Sequence, residues 1–115
     1  MAGQNKENAE HYTWGAGCDG WRLLNREDLS VIQERIPPGL GEILHYHARA
    51  RQLFYVLQGQ LEIEVAGSKT PLTPGDSLEI APMQHHRVTN TSDTDAHFLV
   101  ISSPTTAGDR VNLGE

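Results

Sequence analysis

Residues 39–65 read GLGEILHYHARARQLFYVLQGQLEIEV, and this stretch decides the fold class. Near its end, Leu61, Ile63 and Val65 alternate with two glutamates. Because successive side chains of a β-strand point to opposite faces, this two-residue period predicts a strand with one buried and one solvated face. The apolar run before it, residues 52–57, has the length of a second strand.

Turn-forming residues divide most of the chain into short apolar runs. From Leu29 onward, these runs have the lengths of strands. The residues that separate them are Pro37-Pro38-Gly39, Gly59, Ala66-Gly67-Ser68, Pro74-Gly75, Pro82 and Asn90-Thr91-Ser92-Asp93. No long window after position 30 has a helical period without an intervening Gly or Pro. The sequence therefore predicts an all-β domain.

Length, charge and cysteine content limit the classes of function. The chain has 115 residues, enough for one domain. Nine Lys and Arg against fifteen Asp and Glu give a net charge of -6 without a basic run, so we expect no nucleic-acid partner. No apolar run approaches the ~18 residues of a membrane span, so we expect no membrane partner. The single Cys18 and an N-terminus without a signal-peptide pattern predict a cytoplasmic location.

The run Gln52–Leu57 is apolar on both faces of its predicted strand. In a small all-β protein, this pattern indicates a strand that is covered on each side. The cover over Leu53, Tyr55 and Leu57 is either a partner subunit, which predicts a homodimer, or the chain's own N-terminal segment.

Three of the six histidines occupy positions that are expected to face the same interior. His45 and His47 are two residues apart, so on a strand both imidazoles project from the same face. Gln52 follows after a short polar stretch, and His86 begins a later strand in which His86 and Val88 point inward. A single histidine is more often a surface or hydrogen-bonded core residue, but three on inward-facing positions favour a metal site.

The spacing of these residues resembles the first motif of the cupin family. The pattern is Gly39-x5-His45-x-His47-x4-Gln52-x6-Gly59, and it departs from the family only at Gln52, where a glutamate is usual.

A later stretch resembles the second cupin motif. It runs from Pro74-Gly75-Asp76 through Pro82 to His86 and Asn90, with Met83 in place of the usual glycine. The resemblance implies a small jelly-roll barrel, a double-stranded β-helix, with a metal in its mouth, and it agrees with a homodimer. We therefore divide the chain into an N-terminal segment packing on the barrel (1–28), the barrel (29–103) and a C-terminal tail (104–115).

The metal ligands that the resemblance implies are His45, His47, His86 and the residue at position 52. Family members usually carry a glutamate there, whereas Gln52 leaves a site with a divalent metal at about +2 rather than +1. The amide either coordinates weakly or holds a metal-bound water, and it cannot accept a proton as a general base. Glu42 and Glu79 are not expected to replace the carboxylate, because Glu42 is out of phase with His45 and Glu79 alternates outward.

The expected ligand of the barrel is a small molecule, and an anion would suit the charge of the site. Arg49, Arg51 and Arg87 are near the histidines in sequence and are candidates for attracting it. Apolar side chains are expected to line the cavity, namely Ile43, Phe54, Val56, Leu61, Ile63 and Val88.

Several functions remain open at this point. The site is suited to one divalent metal ion, with Fe, Ni, Zn, Mn and Cu as candidates. Such a metal supports a dioxygenase-like oxidoreductase or an isomerase acting on a small carbonyl or oxygen-rich substrate. The alternatives are a non-catalytic module that binds a sugar-like molecule with a structural or absent metal, and a subunit or sensor whose barrel mainly mediates dimerisation. Fold alone does not choose among them.

Overall fold

The computed structural model describes residues 3–114 and confirms the all-β prediction. Its regular elements are eleven strands: β1 (Glu10–Trp14), β2 (Cys18–Asn25), β3 (Ser30–Ile36), β4 (His45–His47), β5 (Arg51–Gln58), β6 (Leu61–Val65), β7 (Ser68–Leu72), β8 (Ser77–Ile80), β9 (His86–Thr89), β10 (Ala96–Ser103) and β11 (Arg110–Asn112). The described residues contain no helix of the length and hydropathy that crossing a bilayer requires.

The strands form two antiparallel sheets. The six-stranded sheet has the order β1-β2-β3-β10-β5-β8, and the five-stranded sheet has the order β11-β4-β9-β6-β7. Apolar side chains from both sheets form one buried cluster, which includes Phe54, Ile63, Val88 and Phe98. This arrangement of two sheets around one core is the predicted jelly-roll barrel.

The alternation along β5 follows the sequence pattern. Gln52, Phe54 and Val56 are buried, whereas Leu53, Tyr55 and Leu57 are exposed on the outer face of the sheet by 36%, 38% and 42%.

The N-terminal strands do not cover this outer face. β1 and β2 join the sheet next to β3, and β10 lies between β3 and β5. Within residues 3–114, the alternative that the chain's own N-terminal segment covers β5 is therefore wrong. The homodimer stays a prediction.

Segments on both sides of residues 29–103 contribute strands to the barrel. β2 pairs with β3 along most of its length, and β1 pairs with β2. After residue 103, β11 pairs with β4, which carries His45 and His47. The described parts of the segments 1–28 and 104–115 therefore share sheets with the barrel and bring residues to its interior.

Asn90 of the second motif is a structural residue. It is fully buried, and its Nδ2 donates hydrogen bonds to the carbonyls of Ile36 and Thr94, both at 2.8 Å. Its Oδ1 accepts hydrogen bonds from the backbone N and the Oγ of Ser92. The side chain thus satisfies its own hydrogen-bonding groups and ties the β9–β10 loop to β3.

Gly59 of the first motif is required by a close backbone approach. Its φ is +79°, and a Cβ at this position would lie 2.2 Å from the backbone oxygen of Asp95. Gly67 has a similar φ of +83°, but a Cβ there would meet nothing within 4 Å. Substituting these two glycines in turn therefore separates the free-energy cost of the left-handed backbone conformation from that of the clash with Asp95.

We predict that Gly59→Ala lowers the free energy of unfolding more than Gly67→Ala does. Gly67→Ala should cost about 1–2 kcal/mol for the left-handed conformation alone, and Gly59→Ala should cost this amount plus displacement of the Asp95 backbone. Chemical denaturation of both variants measures the difference, and equal losses would contradict the role given to the close approach.

Candidate metal centre

The structure brings the three predicted histidines together. His45 and His47 lie on β4, and His45 is in register with His86 on β9. One ring nitrogen of each residue lies within 4.8 Å of the corresponding atom of the others. All three residues are buried, with exposures of 1%, 6% and 0%.

Hydrogen bonds fix which nitrogen of each imidazole faces the others. His45 Nδ1 lies 2.8 Å from the carbonyl oxygen of Ile43, and His86 Nδ1 lies 2.9 Å from that of Gln84. His47 Nδ1 lies 2.8 Å from a carboxylate oxygen of Asp109. Because these oxygens only accept, we assign the proton to Nδ1 in each ring. The lone pair on Nε2 is then available in all three residues.

Burial keeps the three imidazoles neutral. Desolvation lowers the pKa of His45 to about 3 and that of His86 to about 4, and it also lowers the pKa of His47. A neutral imidazole is the form that binds a metal ion.

Gln52 adds an oxygen donor to the interior. Its Nε2 donates a hydrogen bond to Ser102 Oγ at 3.2 Å, while its Oε1 is buried without a hydrogen-bond partner. The Nε2 of His86 is likewise buried and unpartnered. Buried acceptors without partners are costly, so these two atoms are suited to bind a ligand. Three imidazole nitrogens and one amide oxygen form a set of ligands that a divalent transition metal accepts.

Asp109 supports this cluster from outside the two motifs. Its side chain is fully buried; Oδ1 accepts from His47 Nδ1, and Oδ2 accepts from the backbone N–H groups of Arg49 and Ala50. Burial by itself raises the pKa of Asp109, but the hydrogen bonds from Ala50, His47 and Arg49 hold it below its usual range. No pattern marked this residue, which lies in the segment assigned as a tail.

A cavity of about 440 Å³ opens beside the cluster, and His47 and Gln52 are in its wall. Of the apolar residues expected to line it, Ile43 and Phe54 are in the wall. The other four, Val56, Leu61, Ile63 and Val88, are at most 2% exposed and belong to the core. Alternation correctly predicts that these four side chains point inward, but they pack against one another instead of facing the cavity.

The polar part of the cavity wall contains five ionisable residues that sequence reasoning did not place there: Tyr12, Arg22, Glu34, Glu42 and Arg110. The sequence does indicate that Glu34 points inward, because it is in phase with Ile32 and Ile36 on β3. Glu42 precedes β4 in a segment without regular strand geometry, so the phase argument used for it did not apply.

The three arginines proposed to attract an anion have other partners. Arg51 and Arg87 lie 2.6 Å and 3.1 Å from glutamate oxygens on neighbouring strands, and Arg49 donates to a backbone carbonyl. The arginines in the cavity wall are Arg22 and Arg110, which lie 3.5 Å from Glu10 and 3.7 Å from Glu42. Their place in the wall, and not a lack of partners, distinguishes them.

The remaining histidines lie away from the cluster. His85 is exposed and stacks on Tyr46, with 5.0 Å between ring centroids. His11 contacts Asp19 at 2.7 Å on the surface of the sheet, and His97 lies on β10. The outward position of His85 beside the inward His86, and of Tyr46 between His45 and His47, follows from the alternation of side chains along a strand.

Comparison with known proteins identifies the family that shares these features. The family model for the cupin domain matches residues 32–102. Polyketide synthase CurC of Streptomyces cyaneus is 33% identical over 67 residues, which are 58% of this chain and 44% of that protein. An oxalate-binding protein of Thermotoga maritima is 30% identical over 67 residues, 58% of this chain and 55% of that protein. The chain thus spans about half the length of these curated relatives.

Solved structures share the fold at lower sequence identity. The structure of KdgF from Halomonas sp. has a TM-score of 0.82 and 23% identity, covering 90% of this chain and 95% of that one. At this identity the likeness shows the fold.

We predict that Asp109→Asn weakens metal binding by about 10–100-fold, the usual effect of losing a group that orients a histidine ligand. An amide has one acceptor oxygen, so its NH₂ group would oppose either the His47 N–H or the backbone N–H groups. Competition with a chelator measures the affinity, and Asp93→Asn, an exposed acid, is the control. Unchanged affinity in a folded Asp109→Asn protein would contradict the role of this contact.

Proposed function

The chain belongs to the cupin family, and on that premise we propose that it binds one divalent metal ion through His45, His47 and His86 and transforms a small carbonyl or oxygen-rich compound in the adjoining cavity. One observation carries the proposal: three buried, neutral imidazoles hold ring nitrogens within 4.8 Å of one another beside a cavity.

The residues around the triad prepare it for a metal. The backbone carbonyls and Asp109 that accept from the Nδ1 atoms orient the rings, so binding requires little rearrangement. Gln52 is held through Ser102, and its free Oε1 adds a fourth donor. Fe, Ni, Zn, Mn and Cu all accept imidazole ligands, and availability selects among them.

A bound divalent metal supplies Lewis acidity, which polarises a carbonyl oxygen. The protein contributes binding and orientation. Phe54 and Ile43 provide apolar wall, while Arg22 and Arg110 provide cationic groups for a carboxylate or another oxygen-rich substituent. The volume of about 440 Å³ suits a small molecule.

The names of the relatives support a ligand of this class. Oxalate and polyketides, to which two of the names refer, are both rich in carbonyl or carboxyl oxygen. Neither identity extends over the full relative, so the ligand class is proposed and no individual compound is assigned.

We expect the purified wild-type chain to hold about one equivalent of divalent metal, and His45→Ala and His86→Ala to lose most of it. His85→Ala is the matched control, because it removes the imidazole next to His86 that faces solvent. Elemental analysis gives the content and circular dichroism confirms folding. Negligible metal in the wild type, or full retention in folded His86→Ala, would contradict the proposal.

Gln52 favours a second candidate, a binding module without catalysis, because an amide cannot take the proton that a glutamate can. Gln52→Glu separates the two. If the triad holds a metal, the carboxylate should tighten its binding, since an anionic oxygen is a stronger ligand than an amide, and Ser102 can donate to it in turn.

Isothermal titration with the chosen metal measures this change, with Gln58→Glu on the exposed end of β5 as the control for added charge. Equal metal affinity in Gln52→Glu and wild type, with ligand binding also unaffected, would favour the passive module.

A further inference from the structure

Tyr12, Gly20 and Glu34 lie side by side across three strands. Tyr12 is in register with Gly20, and Gly20 is in register with Glu34. Residues directly opposite in antiparallel strands share a face of the sheet. Tyr12 and Glu34 are thus the two neighbours of a residue that has no side chain.

The missing side chain of Gly20 makes room for the tyrosine. A Cβ on Gly20 would lie 2.2 Å from Cζ of Tyr12 and 2.5 Å from its hydroxyl oxygen. The Tyr12 ring therefore lies over Gly20, and its hydroxyl donates a hydrogen bond to Glu34 Oε2 at 3.2 Å. Three strands thus hold the Glu34 carboxyl in place in the cavity wall.

The ionisable groups that act on Glu34 lie on three strands and in the segment before β4, whereas β10 places Phe98 in register with it. Tyr12 is on β1, Arg22 is on β2, Glu42 precedes β4, and Arg110 is on β11. The guanidinium of Arg22 lies 4.4 Å from the centroid of the Tyr12 ring.

Glu42 is engaged differently from Glu34. Its Oε1 accepts a hydrogen bond from the backbone N of Val88, and its Oε2 lies 3.7 Å from Arg110 Nη1. These contacts fix the segment before β4. Glu34 has no comparable ion pair among the described residues, and its Oε2 accepts from Tyr12.

The surroundings favour the neutral form of the Glu34 carboxyl. Burial, followed by the charge of Glu42, raises the pKa of Glu34 to about 8, although Tyr12, Arg110 and Arg22 act in the opposite direction. Burial raises the pKa of Glu42 to about 7, against Arg110 and the Val88 hydrogen bond. A carboxyl that changes protonation near neutral pH is suited to both taking and giving a proton.

We propose that Glu34 is the proton-transfer residue of the cavity and that Tyr12 is its positioning residue. This inference rests on the proposed function, and it assigns to Glu34 the acid–base role that the amide of Gln52 cannot perform. The substrate class is a small carbonyl compound with a hydrogen on the carbon next to the carbonyl.

The proton-transfer step is balanced without an oxidant. The C–H bond beside the carbonyl breaks, and its proton moves to the Glu34 carboxylate. The electron pair of this bond forms the C=C bond of an enolate, while the π pair of the C=O bond moves onto the carbonyl oxygen. The neutral carboxyl then exchanges its proton with D₂O and returns a deuteron to the same carbon, which restores the carbonyl compound with one C–H replaced by C–D.

Pyruvate in D₂O is the probe for this step, and loss of its methyl proton signal in NMR is the measurement. We expect the metal-loaded wild type to exchange these protons at least about a hundredfold faster than Glu34→Gln. The substitution keeps the size of the side chain and an oxygen that accepts from Tyr12. Glu27→Gln, an exposed glutamate in the β2–β3 turn, is the matched control and should exchange like the wild type.

Stability gives a readout that does not depend on catalysis. The pKa of Glu34 in the folded state lies above the ordinary unfolded value of about 4.3, so the folded state binds the extra proton. Stability from this group is present below that value and is lost as the pH rises through about 8. Glu34→Gln should therefore lose less stability than the wild type between pH 5 and pH 9, and Glu27→Gln should match the wild type.

Tyr12→Phe tests the positioning role. The hydroxyl lowers the pKa of Glu34, so its removal should move the pH dependence of exchange to higher pH while the metal content stays the same. An unchanged pH profile would show that Tyr12 only packs against the sheet.

Equal exchange by metal-loaded wild type and Glu34→Gln, or identical pH dependence of their stabilities, would overturn the assignment of Glu34. Metal analysis of the same samples separates this outcome from failure of the proposed function. A wild type that holds metal but exchanges no faster than Glu34→Gln refutes only the role of Glu34, whereas a wild type without metal refutes the proposed function.

Discussion

Every polar group that the barrel carries into its interior must find a partner there, because folding removes it from water. The side chain of Asn90 has all its partners within the chain, through hydrogen bonds that join the β9–β10 loop to β3. Asp109 meets it by accepting from His47 and two backbone N–H groups. Among the described residues, Gln52 Oε1, His86 Nε2 and His97 Nδ1 are buried without hydrogen-bond partners. In the proposed function the metal ion is the partner of the first two, whereas His97 is on β10 and is not part of the triad.

The strand period predicted the all-β class and inward-facing histidines, and the resemblance to the cupin motifs implied the jelly-roll barrel and the ligand set. Side chains two residues apart share a face, so His45 and His47 had to lie together, and motif spacing brought His86 to the same interior. Asp109 could not be found in this way, because its contact with His47 depends on the pairing of β11 with β4, which no local pattern encodes. Glu34 could have been found from its phase with Ile32 and Ile36 on β3.

Alternation gives the direction of a side chain but not its depth. Phe54 and Val56 are both on the inner face of β5, yet only Phe54 lines the cavity. Val56 is packed within the apolar cluster. Which layer of side chains faces the cavity depends on how the two sheets close on each other, and this information is distributed over the whole chain.

The two departures from the family motifs have different physical consequences. Met83 adopts a φ of 70° at the position where a glycine is usual, so the backbone conformation is kept at a cost of about 1–2 kcal/mol. Gln52 keeps the position and volume of a glutamate but removes its charge and its ability to take a proton. The histidines belong to the five-stranded sheet and Glu34 to the six-stranded sheet. In the proposed arrangement, a compound between the sheets faces the metal held by the five-stranded sheet and exchanges its proton with Glu34 of the six-stranded sheet. Metal binding and proton transfer can therefore be altered by separate substitutions.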